Sequence, residues 1–300
     1  MALIPDSFGA HADRGPAWAS WFDTLPRLVR DLLQEWSLTP DGPAMHGNTA
    51  LVVPVLTADG ERAVLKVGWP HPEAEHEALA LQRWSGRGAV RLLRADPKRW
   101  ALLLERLEPV DLSDHWDVEA CEIVAGLYAD LHRPAPPQVP LLSAYAADLA
   151  RRLAGVPNQM PIPHRLVDQT RALARDLATD PGTDGRLVHT DLHFTNVMLS
   201  GDRGWVAIDP KPISGDPAYE IAPMLWNRYG EYAERPGGRI RDGVRDRFFA
   251  LVDGAGLDEH RARDWAVVRL VSNVVDELSE SHEPDRGWVS AMVTLAKAVQ

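Results

Sequence analysis

The chain has 300 residues, of which 45% are hydrophobic, and its 32 basic and 43 acidic side chains give a formal net charge of −11. This length exceeds the usual size of a single domain, so we expect one large or two modest domains with a sizeable core. The acidic balance repels a phosphate backbone and disfavours nucleic acid as a partner, whereas it would favour a cationic ligand.

Cysteine usage and hydropathy indicate a cytoplasmic protein. Cys121 is the single cysteine, which excludes an internal disulfide framework and a thiolate zinc cluster. No stretch approaches the roughly 18 to 20 apolar residues that span a bilayer, so we expect no membrane partner. The first residues lack the basic and apolar regions of a signal peptide. The cytoplasm is therefore the expected location.

The first third of the chain is predicted to contain helices and then a small antiparallel sheet with one helix. From 16 to 38 the apolar residues recur every three or four positions, which predicts amphipathic helix with an interruption near Pro26. Alternating apolar residues on both sides of the turn Thr57–Gly60 predict a β-hairpin. The predicted strands lie at 51–56, 62–67, 90–95 and 100–106, and the predicted helix at 72–84.

The rest of the chain is predicted to be mostly helical. The run Glu105–Pro109 is the one plausible boundary, so we predict a first domain at 1–107 and a second at 108–300. The predicted helices lie at 118–132, 141–153, 165–178, 219–229, 241–253, 259–280 and 288–299.

A short motif in the second domain predicts phosphoryl transfer. Such transfer needs a carboxylate that orients and deprotonates a hydroxyl, and oxygen ligands for the magnesium ion on the phosphates of ATP. The run from His189 to Leu199 supplies Asp191 as the base and Asn196 as a metal ligand, and Asp209 follows as the main metal carboxylate. Strands predicted at 197–199 and 205–208 form a hairpin that would hold Asn196 and Asp209 together.

Two histidines beside Asp191 leave an alternative open. His189, Asp191 and His193 could serve as ligands of a metal hydrolase. Such a site needs further ligands, and nothing groups His260 and His282 into a recognisable cluster, so the kinase interpretation is favoured. We expect His189 to be a buried imidazole that hydrogen-bonds the loop backbone rather than a proton-transferring group. The role of His193 stays open.

Lys66 is the candidate phosphate-binding lysine. The chain has Lys only at positions 66, 98, 211 and 297, and Lys66 lies in an apolar predicted strand. A buried ammonium group needs a partner, which the phosphates of ATP and a helix glutamate would supply. Among Glu73, Glu75 and Glu77 we favour Glu77, since it leads directly into the apolar side of the helix. An outward-facing strand lysine is the alternative.

The other nucleotide contacts are predicted from position alone. A turn that covers phosphates should precede the first strand of the hairpin, which selects Gly47, Asn48 and Thr49. With one glycine, this turn would otherwise be an ordinary one. Similarly, the backbone of Glu105 and Leu107 would offer hydrogen bonds to adenine, because these residues end the strand at the domain boundary.

Two further residues near Asp209 are singled out. Lys211 stands where protein kinases have Phe-Gly, and it could touch a phosphate or the acceptor, or pair with a local carboxylate. Asp216 is expected to cap a helix start near Tyr219 by accepting backbone N–H bonds, which is a structural role.

These motifs together resemble those of the aminoglycoside and hydroxyurea antibiotic-resistance kinases. The most selective of the matching motifs is Ile208-Asp-Pro-Lys-Pro212. Further matching stretches run over most of the chain, at 21–38, 47–70, 73–105, 189–199 and 215–219. The family pattern often has Asp at the position of Glu220, and Pro223 also departs from it.

The resemblance implies an α+β, protein-kinase-like fold of two lobes. The N-terminal lobe, 1–107, would bind the nucleotide through an antiparallel sheet and one pairing helix, with extra helices at 16–38. The C-terminal lobe, 108–300, would be mostly helical and carry Asp191, Asn196 and Asp209. ATP and Mg²⁺ are the implied cofactors, with Lys66 and Glu77 securing the nucleotide.

The expected function is phosphorylation of a small molecule. No long segment ending in Ala-Pro-Glu follows Asp209, which leaves little room for a protein-kinase activation loop. We expect ATP-dependent phosphorylation of an aminoglycoside, foremost at the 6 position of streptomycin, with hydroxyurea or another hydroxylated metabolite as the alternative. A nucleotide-binding module without turnover is the third possibility. Acidic residues could hold a cationic antibiotic: Asp111, Asp114, Glu231, Glu234, Asp276, Glu277 and Glu280.

Overall fold

A computed structural model describes residues 4–155, 161–234, 239–280 and 283–300. The chain divides into two compact units, Met1–Glu108 and Pro109–Gln300. The first unit is built on a sheet, and the second is mostly helical.

The first unit contains an antiparallel sheet of six strands. Its order is β1-β3-β4-β6-β5, with β2 paired to β3. Side chains alternate between the faces of β4, so Ala63, Leu65 and Val67 are buried in the core while Lys66 lies on the opposite face. The strands are β1 Thr39–Pro40, β2 Met45–His46, β3 Ala50–Leu56, β4 Arg62–Gly68, β5 Leu92–Asp96 and β6 Ala101–Glu105.

N-terminal helices cover the core face of this sheet. Helix α1 (Asp6–Gly9) leads through a 3-10 turn into α2 (Pro16–Glu35), whose buried side chains join those of β3 and β4 in one core. The predicted interruption at Pro26 is wrong, because α2 runs through it. An interior proline costs about 3 kcal/mol. Here the buried residues Leu25 and Val29 on both sides of Pro26 supply the packing that offsets it.

The helix α3 (Glu77–Trp84) starts later than the sequence predicts. Residues Pro72–Ala74 form a separate 3-10 turn, and His76, with φ −106° and ψ 12°, is not helical. Glu77 therefore occupies the first turn of α3. The helix ends at Ser85, whose φ of 51° is left-handed.

The second unit packs its helices in pairs, α4 on α9, α5 on α6 and α10 on α11. Two small sheets accompany them, β7 with β10 and β8 with β9, both antiparallel. The helices are α4 Asp117–Leu131, α5 Leu142–Ala154, α6 His164–Thr179, α7 Ala222–Trp226, α8 Glu231–Glu234, α9 Ile240–Ala255, α10 Glu259–Glu280 and α11 Arg286–Ala298. The strands are β7 Arg186–Val188, β8 Val197–Ser200, β9 Gly204–Ala207 and β10 Ile213–Gly215.

The helix predicted at 219–229 is shorter in the structure. A 3-10 turn covers Pro217–Ile221, α7 follows, and Arg228 has a left-handed φ of 57°. The tight turn follows from Asp216 and Pro217, which cap and start it.

Cys121 is buried and free. Among the described residues, no helix combines the length and apolar character that a membrane span requires.

Candidate active site

The β8–β9 hairpin brings Asn196 and Asp209 to the same end. Pairing runs from Val197↔Ala207 to Ser200↔Gly204, and beyond it the amide of Ile208 donates to the carbonyl of Asn196 at 2.9 Å. Asp209 comes next, with a left-handed φ of 55°. A non-glycine residue in this region is uncommon and strained, and such residues cluster at functional sites.

His189 joins the Asp191 loop to the Asp209 segment. Its ring is buried, and its Nε2 lies 2.8 Å from the carbonyl oxygen of Ile208. The amide of Asp191 donates to its Nδ1 at 3.3 Å. These two bonds require a proton on Nε2 and none on Nδ1. His189 therefore fixes the backbone before both carboxylates.

The side chain of Asn196 turns back onto the loop. Its Nδ2 donates to the carbonyl of Asp191 at 2.8 Å and lies 3.1 Å from Nε2 of His193. Since the amide nitrogen serves these acceptors, Oδ1 is the atom that can ligate a cation.

His193 lies beside both carboxylates of the site. Burial lowers its pKa, and the carboxylate of Asp191 opposes that effect, as Asp209 does more weakly. Its Nε2 is 3.9 Å from Oδ1 of Asp191. We infer that His193 is neutral at pH 7.

Lys211 pairs with Asp191. Its Nζ lies 3.2 Å from Oδ2 of Asp191, so the structure realises the carboxylate partner among the alternatives for this lysine. Its amide donates to the carbonyl of His189, and its own carbonyl accepts from the hydroxyl of Thr190 at 2.6 Å. Thr190 has a φ of 63°. The loop before Asp191 is thus tightly bonded to the segment after Asp209.

Glu220 supports the loop that carries Thr190 and Asp191, a role that the sequence did not predict. It is fully buried, and its Oε1 accepts the amide of Thr190 at 2.7 Å. Nε2 of His132 is 4.0 Å from its other oxygen. Burial raises the pKa of Glu220, but His132 and the Thr190 amide outweigh it and hold that pKa below the ordinary range. Glu220 is therefore a carboxylate at neutral pH.

Arginines from three C-terminal elements also anchor the loop. The guanidinium carbons of Arg228 and Arg247 lie 4.4 and 5.3 Å from the ring centre of Phe194. Arg247 is fully buried and pairs with Asp117 at 2.8 Å. Arg269 donates to the carbonyl of Thr190 at 3.3 Å. The sequence did offer one signal, since Arg247 interrupts the apolar stripe of α9.

Asp216 caps the 3-10 turn and also reaches α10. Its Oδ1 accepts the amide of Ala218 at 2.9 Å, while its Oδ2 accepts Nε1 of Trp265 at 2.8 Å and Nε of Arg261. Asp216 as a whole residue is only 5% exposed. The structure thus shows the cap at Ala218 and adds a link to α10.

In the first unit, Lys66 pairs with Glu77 among the three candidate glutamates. Nζ of Lys66 is 2.6 Å from Oε1 of Glu77, and the side chains are 12% and 7% exposed. Glu73 and Glu75 precede α3, whereas Glu77 lies in its first turn. The placement of β4 against α3 therefore selects Glu77.

The turn 47–49 has its carbonyl groups occupied. Nδ1 of His46 is 2.9 Å from the carbonyl oxygen of Gly47, Nη1 of Arg14 donates to that of Asn48 at 3.0 Å, and the amide of Trp69 donates to that of Thr49 at 2.6 Å. Gly47 has no left-handed φ, and a Cβ atom added to it would meet no atom within 4 Å. Neither backbone strain nor packing within the described residues requires glycine there.

The predicted adenine contacts differ from each other. The amide of Glu105 donates to the carbonyl of Arg91 at 3.1 Å, and its Oε1 accepts the amide of Arg91 at 2.6 Å. Leu107 lies after β6, outside regular structure. The amide of Glu105 is thus engaged with Arg91 inside the chain.

Most of the acidic residues proposed for a cationic acceptor already have partners inside the chain. Asp111 accepts the amide of Ser113, and Glu277 that of Asp285. Glu231 pairs with Arg228, and Asp276 with Arg152. The side chains of Glu234 and Glu280 lie outside the described residues.

In the part of the chain that is described, no group of three His, Cys, Asp or Glu side chains could hold a metal ion.

Comparisons with known proteins agree on one family. The family model described as aminoglycoside/hydroxyurea antibiotic resistance kinase matches residues 35–277. Streptomycin 6-kinase of Streptomyces glaucescens is 36% identical, covering 100% of this chain and 98% of that protein. Hydroxyurea phosphotransferase of Kitasatospora aureofaciens is 40% identical, covering 95% of this chain and 83% of that protein.

Solved structures confirm the predicted protein-kinase-like α+β fold. A choline/ethanolamine kinase family protein from Mesorhizobium loti superposes with a TM-score of 0.61 at 14% identity, covering 91% of this chain and 94% of that one. The family match and the two enzyme relatives show more than the fold. The chain belongs to the aminoglycoside/hydroxyurea antibiotic resistance kinase family, and it is a phosphotransferase with a hydroxyl group as acceptor.

Proposed function

We propose that the chain transfers the γ-phosphoryl group of ATP, with Mg²⁺, to a hydroxyl group of a small antibiotic in the cytoplasm. One observation carries this proposal. The carboxylate of Asp191 is held next to Lys211, in a loop whose hydrogen bonds also position Asn196 and Asp209. A base and two oxygen donors for a divalent ion are the groups that phosphoryl transfer needs.

The donor set fits magnesium. Asn196 Oδ1 and the carboxylate of Asp209 are hard oxygen donors, which Mg²⁺ prefers, and it keeps its remaining positions for phosphate and water. When bound, the ion neutralises charge on the phosphates. The hairpin bond between Ile208 and Asn196 keeps both donors at one end of the hairpin.

Asp191 acts on the acceptor hydroxyl. It accepts the hydroxyl hydrogen bond and orients the oxygen for attack on the γ-phosphorus. It takes the proton as the new P–O bond forms, while the bond from the γ-phosphorus to the β,γ-bridging oxygen breaks and ADP leaves. Lys211 holds the carboxylate of Asp191 by its ion pair and offers a cation for the charge on the transferred group. Burial lowers the pKa of His193, which keeps its imidazole uncharged beside Asp191.

In the first unit, Lys66 and the turn 47–49 are proposed to bind the phosphates. Lys66 is held by Glu77, and an ammonium group fixed in this way is ready to contact an anionic ligand. At Gly47, the open space around the missing Cβ would admit a phosphate close to the backbone. Glu105 and Leu107, at the end of β6, are proposed to lie beside adenine.

Streptomycin, phosphorylated at its 6 position, is the acceptor that we propose first. The support is the streptomycin 6-kinase relative, which aligns over the whole chain. Hydroxyurea is the second candidate, for two reasons. The hydroxyurea phosphotransferase relative has the higher identity, and the charged neighbours of Asp191 include the cations Lys211 and Arg269. A neutral acceptor avoids repulsion from them.

A transfer assay tests the proposal. Purified chain is incubated with MgATP and either streptomycin or hydroxyurea, ADP release is followed, and the product is identified by mass spectrometry. We expect phosphorylation of one of the two. The variant Asp191→Asn should lose about 10²-fold or more in kcat while its MgATP affinity is kept. Turnover of neither acceptor, or a fully active Asp191→Asn, would contradict the proposal.

A further inference from the structure

The N-terminal segment contacts the turn that we propose to bind phosphates. We call four residues of this segment the brace: Ser7, Phe8, Arg14 and Trp18. They surround the turn 47–49 together with His46, which directly precedes it. The turn has one glycine, at position 47, so local backbone freedom does not shape it. Besides the bond from its own Gly47 amide to the carbonyl of Ala50 at 3.0 Å, its conformation depends on contacts made elsewhere.

Two bonds from the brace define the turn. Nη1 of Arg14 donates to the carbonyl of Asn48 at 3.0 Å. Oγ of Ser7 lies 2.8 Å from Nε2 of His46, whose Nδ1 is 2.9 Å from the carbonyl oxygen of Gly47. The ring of Phe8 stacks on His46 with centroids 4.9 Å apart. His46 is thus fixed on one face and at both nitrogens.

Aromatic stacking completes the same arrangement. The guanidinium carbon of Arg14 lies 5.1 Å from the ring centre of Trp18. Trp18 stacks on Trp69 at 4.3 Å and an interplanar angle of 10°, and the amide of Trp69 donates to the carbonyl of Thr49. Three successive carbonyls, from Gly47 to Thr49, therefore accept bonds from donors that the brace supplies or positions.

Holding the carbonyls also fixes the direction of the amides. In a trans peptide, the C=O of one residue and the N–H of the next point in opposite directions, and the described chain has no cis peptide. The bond from His46 to Gly47 thus directs the N–H of Asn48 away from His46. Likewise, the bond from Arg14 to Asn48 directs the N–H of Thr49 away from Arg14.

We propose that the brace is a nucleotide-affinity device that orients the amides of Asn48 and Thr49 toward the phosphates of ATP. Successive amides that point to one side form an anion-binding concavity. In this chain the contacts of the N-terminal segment hold the turn, rather than a run of glycines. Arg14, Ser7 and His46 are then positioning residues, and the inference rests on the proposed ATP-dependent function.

Calorimetric titration of the full chain with MgATP tests the brace. In Arg14→Ala the dissociation constant should rise about three- to tenfold, as expected for one lost hydrogen bond to the turn. Arg14→Lys should recover part of this loss, because an ammonium group can still donate to Asn48. The matched control is Arg27→Ala on α2, whose side chain is 84% exposed, and it should stay within about twofold of wild type.

Hydrogen exchange supplies a readout that does not depend on activity. The amides of 47–50 should exchange faster in Arg14→Ala and in Ser7→Ala, while those of β4 should not change. Unchanged MgATP affinity and unchanged exchange in Arg14→Ala would overturn the inference, even if the chain phosphorylates an antibiotic. A chain that binds MgATP through the brace but phosphorylates neither acceptor would remove the proposed function and leave the brace in place.

Discussion

The pair of Lys66 and Glu77 allows stability and nucleotide binding to be separated. Nζ and Oε1 are 2.6 Å apart, and both side chains are nearly buried. Lys66→Met leaves the Glu77 carboxylate buried without its lysine, and breaking a buried pair from one side costs about 3 to 5 kcal/mol. Since both side chains keep some exposure, we expect a loss near the lower end, about 3 kcal/mol in the free energy of unfolding.

The double variant Lys66→Met/Glu77→Leu should behave differently. Replacing a buried ion pair with apolar side chains of similar size is often neutral or stabilising, so most of the lost unfolding free energy should return. MgATP binding should not return, because the proposed phosphate contact is still missing. Urea unfolding followed by tryptophan fluorescence gives the first quantity, and calorimetric titration gives the second.

The control is Lys98→Met, which removes an exposed lysine from the same unit. It should leave both quantities near their wild-type values. Wild-type MgATP affinity in the double variant would refute the reasoning, because Lys66 would then serve only to neutralise Glu77. A stable Lys66→Met single variant would refute the electrostatic part.

Three further predictions concern the turn and the Asp191 loop. Lys211→Met should lower kcat about 10²-fold, the typical cost of losing one electrostatic donor, and Lys211→Arg should restore part of it; an unchanged kcat in steady-state assays would contradict this. Gly47→Ala should leave the melting temperature unchanged or slightly higher yet raise the KM for ATP, and an unchanged KM would count against phosphate approach at this position. The pKa of Glu220 is lowered in the folded chain, so its charge stabilises the fold at neutral pH and that contribution fades as the pH falls through the folded pKa. The melting temperatures of wild type and Glu220→Gln should therefore converge as the pH falls below the ordinary pKa of glutamate, about 4.3, and a constant difference would refute the assignment.

Local sequence spacing predicted part of this molecule well. The pairing of Lys66 with Glu77 spans 11 residues, and a strand followed by a short helix almost dictates it. Asn196 and Asp209 flank a single hairpin, so their meeting also follows from local pairing. The kinase motif from His189 to Asp209 could be recognised for the same reason, because its residues lie close together in the sequence.

Packing between distant segments decided the remainder. The interruption expected at Pro26 did not occur, because the core face of α2 outweighs the local defect. Arg247 and Asp117 are 130 positions apart, and Glu220 meets Thr190 across 30. The sequence marks Arg247 as unusual in the apolar stripe of α9, but no periodicity connects such distant residues, so the partners of Arg247 and Glu220 could not be predicted.

The anchoring arginines also determine the order in which function can arise during translation. The loop that carries Asp191 is secured by Arg228, Arg247 and Arg269, which the ribosome makes after the loop itself. A nascent chain that has emerged only as far as β10 lacks all three of these anchors. The last of these anchors is therefore made only when α10 is translated, and a premature stop codon before that helix would leave the motif intact but without the contact from Arg269.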